Sequence, residues 1–462
     1  MSVKTRLTLD TRTPLHGRRM AVLLGSLFVV MVGYGSTVAV FPGHVQRAGG
    51  LADAADGAVA FHVGLIVGVY ALAGLLASPV AGRLGDRLGR RPVLLVGLGA
   101  SAVAQVLFAL AGSLWTLYVV RFVGGLADAS VLVAGAAYVA DSTGEQQRAR
   151  GMAWFGTAIG LGLVVGPAIT PPLSSSSTAL GHLAHVDAQS VPFLFSGLAA
   201  AGVLIVVGAF LPESPRHTSQ RGDHARQAGG LGSVLPTLRP LLLLVLAAQY
   251  GMTVFEAMFV LYARTRLSLS LGELSLVFIA CNATVAGLQL PAVEWLTGRV
   301  SSLGQVALGF AVMGASLVGL VPVRSFALVL VVSGAHGAGA ALIIPNVAAL
   351  VSSRATAGAG LALGLKNSAS GLGQVVGPLM GGSLMGLRSD LPFLLAGGLL
   401  VALAIAVRAG FASSRQRPSV AAVARRRFGD LPGTIPVGAS LVASRYLVPA
   451  TTPFDVSRDP PG

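Results

Sequence analysis

Among the charged residues inside long apolar segments of the sequence, Arg121, Asp128 and Glu256 are the candidates for proton chemistry. A carboxylic acid in a low-dielectric setting can bind and release a proton near neutral pH, so both acids are candidate proton carriers. Asp128 lies near the centre of its segment and is the first candidate, with Glu256 in reserve. Arg121 precedes Asp128 by two helical turns, about 10 Å along one face, so the two could share a cavity. We predict that Asp128 carries the coupled proton, with Glu256 as the reserve candidate, and that Arg121 on the same face favours the charged form of Asp128 when the two come closer.

A second group of polar and aromatic residues lies in the same kind of segment and could line a central cavity. It comprises Tyr34, Gln249, Tyr250, Asn282 and His336. His336 could join a proton relay, but a hydrogen-bonded histidine in the helix packing explains it at least as well. Each of the others is also explained by packing.

The composition excludes most other chemistry. The 462-residue chain is 54% hydrophobic and 11% charged, with a mean hydropathy of +0.77, whereas soluble domains are about one quarter charged. The single cysteine, Cys281, removes intrachain disulfides and cysteine-based metal sites. The sequence shows no nucleophile–base set, phosphate loop or metal cluster. We therefore predict a polytopic membrane protein with no cofactor and no enzymatic activity.

Apolar windows of bilayer-spanning length predict an all-α protein with twelve transmembrane helices. The windows are 20–42, 59–81, 92–112, 114–138, 150–171, 191–211, 240–263, 273–296, 303–322, 325–350, 358–387 and 391–410. The predicted organisation is a cytoplasmic N-terminal segment (1–19), a six-helix half (20–211), a cytoplasmic central loop (212–239), a second six-helix half (240–410) and a basic, disordered cytoplasmic tail (411–462).

The basic residues that give the chain its net charge of +15 are distributed unevenly between the two sides of the predicted membrane topology. If the N-terminus is cytoplasmic, 17 basic residues fall in the inner segments that precede the tail and 5 in the outer loops. This bias predicts that both termini are cytoplasmic and that the basic residues meet membrane lipid and not nucleic acid.

An internal repeat supports the division into two halves. The segment GLGLVVGP at 160–167 recurs as GLGQVVGP at 371–378, with seven of eight positions identical. The repeat falls in the fifth helix of each half, which predicts a duplicated scaffold with its site between the halves. The glycines and prolines of this repeated motif, together with one preceding glycine, are Gly156, Gly160, Gly162, Gly166, Pro167, Gly373, Gly377 and Pro378.

The segment 82–92, GRLGDRLGRRP, lies between the second and third predicted helices. It resembles the loop signature of the major facilitator superfamily, with matches at Gly82, Asp86, Gly89, Arg90 and Arg91. The resemblance implies a fold of two pseudo-repeated six-helix halves. It also implies a charge latch in which this loop pairs with Asp141, favours the outward-open state and breaks as the halves rock.

Two further segments resemble the drug/proton antiporter group of that family. The glycine–proline stretch at 156–167 is similar to its fifth-helix signature, and Leu117–Ala127 is similar to its fourth-helix motif around an arginine, here Arg121. The resemblance implies a monomeric plasma-membrane transporter that exports small amphiphilic compounds or drugs in exchange for protons. Two alternatives stay open: a symporter or uniporter that imports a sugar or metabolite, and a transport-inactive membrane sensor.

Overall fold

The computed structural model describes residues 14–143, 145–175, 187–213, 231–289, 291–296, 299–354 and 359–416. These residues form helices and no strands. The helices before residue 214 are α1 (Pro14–Val38), α2 (Phe41–Ala48), α3 (Asp56–Leu88), α4 (Arg90–Ala109), α5 (Leu114–Ser142), α6 (Glu145–Ser175) and α7 (Val191–Phe210). Those after residue 230 are α8 (Leu231–Arg266), α9 (Leu271–Leu288), α10 (Pro291–Leu296), α11 (Ser302–Leu320), α12 (Phe326–Ser353), α13 (Ala359–Leu387) and α14 (Leu391–Gln416).

Eleven of the described helices are long and apolar enough to cross a bilayer. They are α1, α3 to α9, α11, α12 and α14. The twelfth predicted span corresponds to α13, which has 29 residues and is therefore long enough. Its many glycines lower its hydropathy, so the count of twelve stays a prediction while the all-α membrane fold is confirmed.

Large apolar side chains on several helices are exposed, as expected of surfaces that face lipid. Val96, Leu198 and Ile205 are prominent examples, and Trp115 and Trp295 lie near helix ends. Tryptophan is typical of the membrane–water interface because its ring is apolar and its N–H is polar. These faces cover a core of buried aliphatic and aromatic side chains.

The duplicated segments pack in the same way in each half. A Cβ on Gly166 of α6 would lie 2.7 Å from Gly35 Cα of α1, and one on Gly377 of α13 would lie 3.0 Å from Tyr250 O of α8. In each half the fifth long helix therefore lies almost backbone to backbone against the first, which only residues without a side chain permit.

The two halves meet along α3 and α13. Gly57 faces Gly386, Gly64 faces Pro378 and Gly382, and nearer the middle Leu75 contacts Gly371. This seam begins at the end of the bundle that is predicted to face outward.

Several predicted boundaries were wrong: α1 begins at Pro14, inside the predicted segment 1–19, and α14 runs to Gln416, inside the predicted tail. The central loop was placed at 212–239, but α8 begins at Leu231; prolines and Arg239 suggested a loop, whereas Leu238 and Leu241 are buried on a helical face. The window 273–296 is two helices, because Pro291 cannot donate a backbone hydrogen bond within a continuing helix. Residues that follow the first span form a short helix, α2, with a proline in its first turn.

The chain divides into two units between residues 409 and 410. The described residues end at Gln416, so the prediction of a disordered tail lies outside them for residues 417–462. Residues 1–13 of the predicted N-terminal segment also lie outside the described residues.

Candidate functional site

Asp128 lies on α5 and is 9% exposed. Its Oδ2 accepts a hydrogen bond from Tyr70 Oη of α3 at 2.8 Å, and its Oδ1 accepts one from Ser101 Oγ of α4 at 2.5 Å. Both carboxyl oxygens are therefore satisfied by neutral donors from two other helices. Sequence reasoning missed Tyr70 and Ser101; the available signal was that both are polar residues in apolar segments.

Arg121 is also buried, at 8% exposure. Its guanidinium carbon lies 4.3 Å from the ring centre of Phe108 and 4.6 Å from that of Phe41, with Tyr70 and Phe193 farther out. Its Nε has no hydrogen-bond partner, and among the described residues it forms no ion pair. The cation is thus held by aromatic faces, which attract it electrostatically. This aromatic cage could not be predicted from the sequence, because its rings come from four separate helices.

A small cavity separates Arg121 from Asp128. Tyr70, Ser101 and Gln105 contribute to its wall. The volume open to the centre of a water molecule is about 10 Å³, which is room for about one water. The two residues therefore share a cavity without direct contact, as their spacing predicted. Tyr34 of α1 stacks on Tyr70 with ring centres 6.4 Å apart. Helix α1 therefore contacts the Tyr70 side of this cavity.

Glu256 occupies a different environment on α8. Its side chain is exposed although its chain neighbours Phe255 and Ala257 are buried. It lines a second cavity together with Phe278, Asn282 and other residues of α9 and α12. No hydrogen bond or ion pair to Glu256 is formed by the described residues. Its carboxylate is thus open to a space inside the bundle.

His336 of α12 borders the same cavity and is 2% exposed. Its ring stacks on Phe255 with centres 4.7 Å apart, and its Nδ1 lies 3.3 Å from Ser316 Oγ. Its Nε2 has no partner. The histidine therefore belongs to the packing and borders the cavity, and its Nε2 is buried without a hydrogen-bond partner.

The other residues that were predicted to line a cavity lie in three different parts of the structure. Asn282 borders the cavity of Glu256, and Tyr34 lies beside Tyr70. Gln249 and Tyr250 pack against the backbone of α13 at Gly373. For Gln249 and Tyr250, the packing interpretation accounts for the observed contacts.

The loop between α3 and α4 forms the charge cluster that the family resemblance implied. Arg90 contacts Asp86 at 2.6 Å and Asp141 of α5 at 2.9 Å. Gly89 has a φ of +108°, a conformation that favours glycine. The predicted association of these side chains is present. Gly82 lies nearby on α3, with Val133 of α5 as its neighbour.

Sequence reasoning missed a third acid at this cluster, Glu213. Its Oε1 accepts hydrogen bonds from the backbone N–H groups of Arg90 at 2.8 Å and Arg91 at 3.2 Å, at the start of α4. A carboxylate at a helix N-terminus is favourable because the free N–H groups and the helix dipole point toward it. The Arg91 side chain donates to Gly208 O of α7. All these partners belong to the first half.

The glycines of the duplicated stretch divide into two groups. Gly162 and Gly166 lie against the α1 backbone, and Gly373 lies against α8. By contrast, nothing lies within 4 Å of a Cβ placed on Gly156, and one on Gly160 would meet only Ala286 at 4.0 Å. Pro167 and Pro378 lie inside their helices. Close packing explains the first group, whereas Gly160 faces α9 at a longer distance and Gly156 has open space beside it.

Buried polar sites inside two packed sets of membrane-spanning helices define a polytopic membrane transport protein. A family model described as Major Facilitator Superfamily matches residues 22–355 and, in a second match, 241–452. The chain belongs to this superfamily. It is a multi-pass membrane transporter for small molecules and not an enzyme.

Two similar curated proteins are named for drug resistance. Multidrug resistance protein 1 of Bacillus subtilis (strain 168) is 25% identical over 374 residues, which cover 81% of this chain and 91% of that protein. Quinolone resistance protein NorA of Staphylococcus aureus (strain MRSA252) is 24% identical over 388 residues, covering 83% and 94%. The predicted resemblance to drug/proton antiporters is confirmed at this level.

Solved structures share the fold at low identity. The human organic anion transporter MFSD10 (TETRAN) matches with a TM-score of 0.62 and 20% identity, covering 86% of this chain and all (100%) of that one. The nucleoside transporter NupG matches with a TM-score of 0.68 and 11% identity, covering 84% and 99%. These matches support the major facilitator fold.

Proposed function

We propose that the protein exports small amphiphilic compounds across the plasma membrane in exchange for protons, by alternating access. The observation that carries this proposal is the environment of Asp128: a buried acid, bound by two neutral donors, across a water-sized cavity from a cation without an acidic partner. The drug-resistance names of the relatives support the direction of transport.

Asp128 can exchange a proton if the cavity opens to one side of the membrane at a time. When Asp128 is charged, Arg121 is the nearest cation across the cavity and favours that state; moving the two apart favours the neutral acid. A rocking motion that changes their separation therefore switches the proton affinity of Asp128. This supplies the coupling between the pH gradient and substrate movement.

The test is proton flux during substrate transport in proteoliposomes that contain the purified full-length protein. Exchange predicts that substrate moving one way drives protons the other way. Protons moving with the substrate would identify a symporter, and substrate movement without proton flux would identify a uniporter. Absence of substrate movement under every gradient would leave the sensor as the remaining function.

The proposed orientation has both termini in the cytoplasm. Single cysteines introduced as Ser177→Cys and Ser219→Cys, both outside the described residues, fall on opposite sides of the membrane in this topology. An impermeant maleimide applied to intact cells should label the first and spare the second. The native Cys281 is buried and provides a low background. The reverse labelling pattern would invert the topology.

A further inference from the structure

The short helix α2 is fastened to the first half by side chains on one of its faces. His44 Nε2 lies 2.8 Å from Phe108 O of α4, and it is the donor because a carbonyl oxygen only accepts. His44 Nδ1 lies 3.3 Å from Ser190 Oγ, at the start of α7. One turn further along α2, Arg47 forms an ion pair with Asp187. Helix α2 therefore belongs mechanically to the first half.

The second half contacts α2 at Gly43. A Cβ on Gly43 would lie 2.5 Å from Arg264 Nη1 of α8 and 2.5 Å from Gln189 Oε1. The Arg264 guanidinium and the Gln189 amide therefore occupy the space that a side chain on Gly43 would fill. Arg266 Nε donates to Ser389 Oγ at 2.8 Å, which fixes the end of α8 within the second half. We call the contact of Arg264 with Gly43 and Gln189 the outer gate, because it joins the halves at the predicted outer end.

The outer gate depends on shape and not on an ion pair. Among the described residues, Arg264 forms no salt bridge. The charged group that acts on it is another cation, Arg47, whose own charge is paired with Asp187. A side chain that fills the space at Gly43 should therefore be enough to displace Arg264.

The other functional residue of α2 is Phe41, two positions before Gly43. Its ring centre lies 4.6 Å from the guanidinium carbon of Arg121, and the ring stacks on Phe108 at 5.7 Å. One short helix thus carries both a contact of the outer gate and a ring of the aromatic cage. A displacement of α2 must move both.

We propose that α2 links the outer gate to the proton site, with Arg264 closing on Gly43 and Phe41 positioning Arg121. Arg121 is seven residues nearer than Asp128 to the outer end of α5. When the gate opens, α2 moves outward and the cation–π attraction takes Arg121 with it, away from Asp128. The neutral acid is then favoured, so Asp128 takes up its proton while the site faces outward. This inference deepens the proposed export function and rests on it.

Titratable and charged groups lie near both ends of this link. Those that interact with Asp128 are Tyr34, Tyr70 and Arg121, and those near the gate are His44, Arg47, Asp187 and Arg264. Burial lowers the pKa of His44, which favours its neutral ring. A histidine is nevertheless the other group that could respond to pH. The experiment therefore separates His44 from Asp128.

The state of the outer gate is measured as the distance between two spin labels in the purified full-length protein. The labels are attached through Gly112→Cys in the first half and Ser325→Cys in the second, in a Cys281→Ala background. Nothing lies within 4 Å of a Cβ on Gly112, and Ser325 is exposed, so both positions have room for a label. Open and closed gates give two distance populations. We expect acidic pH to raise the ratio of open to closed by about fivefold or more.

Variants of Gly43 test the gate. Gly43→Leu fills the place of the Arg264 guanidinium and should raise the ratio of open to closed by about fivefold or more at alkaline pH. Arg264→Ala in the same chain makes room and should reverse part of that shift. Gly272→Leu, at the outer start of α9 with open space beside it, is the matched control and should leave the ratio unchanged. Thermal unfolding of each variant checks that it is folded.

Variants of Phe41 test the link. Phe41→Leu keeps an apolar side chain but removes the ring, so it should reduce the response of the gate to pH by about fivefold. Asp128→Asn should abolish that response. His44→Gln can still donate to Phe108 O through its amide and should keep the response.

An unchanged ratio in Gly43→Leu would overturn the gate. A response to pH that survives Phe41→Leu would show that α2 does not carry it, and one that survives Asp128→Asn but is lost in His44→Gln would assign it to the histidine; either result overturns the link. Because the populations are read at equilibrium, the result does not depend on export. If the variants behave as expected while transport shows no proton exchange, the proposed function fails and the link stands.

Discussion

The two halves hold their intramembrane acids in opposite ways. Asp128 in the first half is enclosed, and each of its oxygens accepts a hydrogen bond from a neutral side chain. Glu256 in the second half is exposed to a cavity and is unpaired among the described residues. A carboxylate that accepts hydrogen bonds at both oxygens can stay charged inside the protein without a ligand, whereas the open acid has no side-chain donor among the described residues to stabilise its charge. The two acids therefore differ in environment, and substitution of each one separately tests whether they also differ in role.

The two copies of the repeated segment share their helix packing but not their charged residues. The packing of α6 on α1 matches that of α13 on α8, at glycines that correspond in the two copies of the repeat. The charged residues do not correspond, because Arg121 and Asp128 lie on α5 whereas Glu256 lies on α8. The repeated sequence therefore maintains the scaffold, and the chemistry differs between the halves.

The largest expected effect comes from neutralising the enclosed acid. Asp128→Asn should abolish pH-gradient-driven accumulation while substrate binding and exchange persist, since a neutral amide mimics the protonated acid. The measurement is uptake into proteoliposomes or inverted vesicles with and without a pH gradient. Glu256→Gln is the matched variant and should keep gradient-driven transport of an uncharged substrate.

The opposite result would reverse the assignment. If Asp128→Asn still drives uphill transport with normal pH dependence and Glu256→Gln does not, the coupling residue is Glu256. If neither substitution matters, neither acid carries a coupled proton, and the proposed coupling loses its support.

A second large effect is expected at the aromatic cage. Arg121→Met keeps a long apolar side chain among Phe41 and Phe108 but removes the cation that favours charged Asp128. We expect gradient-driven transport to fall by about tenfold, which corresponds to about 1.4 kcal/mol. Arg121→Lys keeps the charge and should lose less. Wild-type coupling in Arg121→Met, at normal abundance, would show that the arginine serves only to join helices.

The sequence predicted the scaffold better than it predicted the sites, for a physical reason. Hydropathy and the positions of charges follow from local composition, so spans and the glycine repeat were visible directly. The partners of Asp128 and the rings around Arg121 come from helices far apart in the sequence, and their association depends on tertiary packing. Glu213 is the clearest case: its partners precede it by more than 120 residues, and nothing in its own segment marks it.

Close packing at the repeat gives a smaller and more specific effect. Gly166→Ala should destabilise the protein by about 1–3 kcal/mol because its Cβ would overlap the α1 backbone and force it to move. Gly156→Ala has open space and should have little effect on stability. Thermal unfolding in detergent compares the two variants. Equal destabilisation would show that α6 does not lie against α1 in this register.

The smallest effect on stability is expected at the charge cluster of the first half. Asp86 is exposed, with 62% of its side chain accessible, whereas that of Asp141 is 21% accessible, and both contact Arg90. Exposed ion pairs contribute about 0–1 kcal/mol, so Asp86→Asn should leave expression and thermal stability almost unchanged. Asp141→Asn should cost more, because it removes the less exposed partner. Turnover is the sensitive measurement, since Asp86→Asn weakens one of the two contacts that hold Arg90 and should slow the conformational cycle. Wild-type turnover in Asp86→Asn at wild-type abundance would show that the cluster only fixes the start of α4, a role that Glu213 can fill through its two backbone hydrogen bonds.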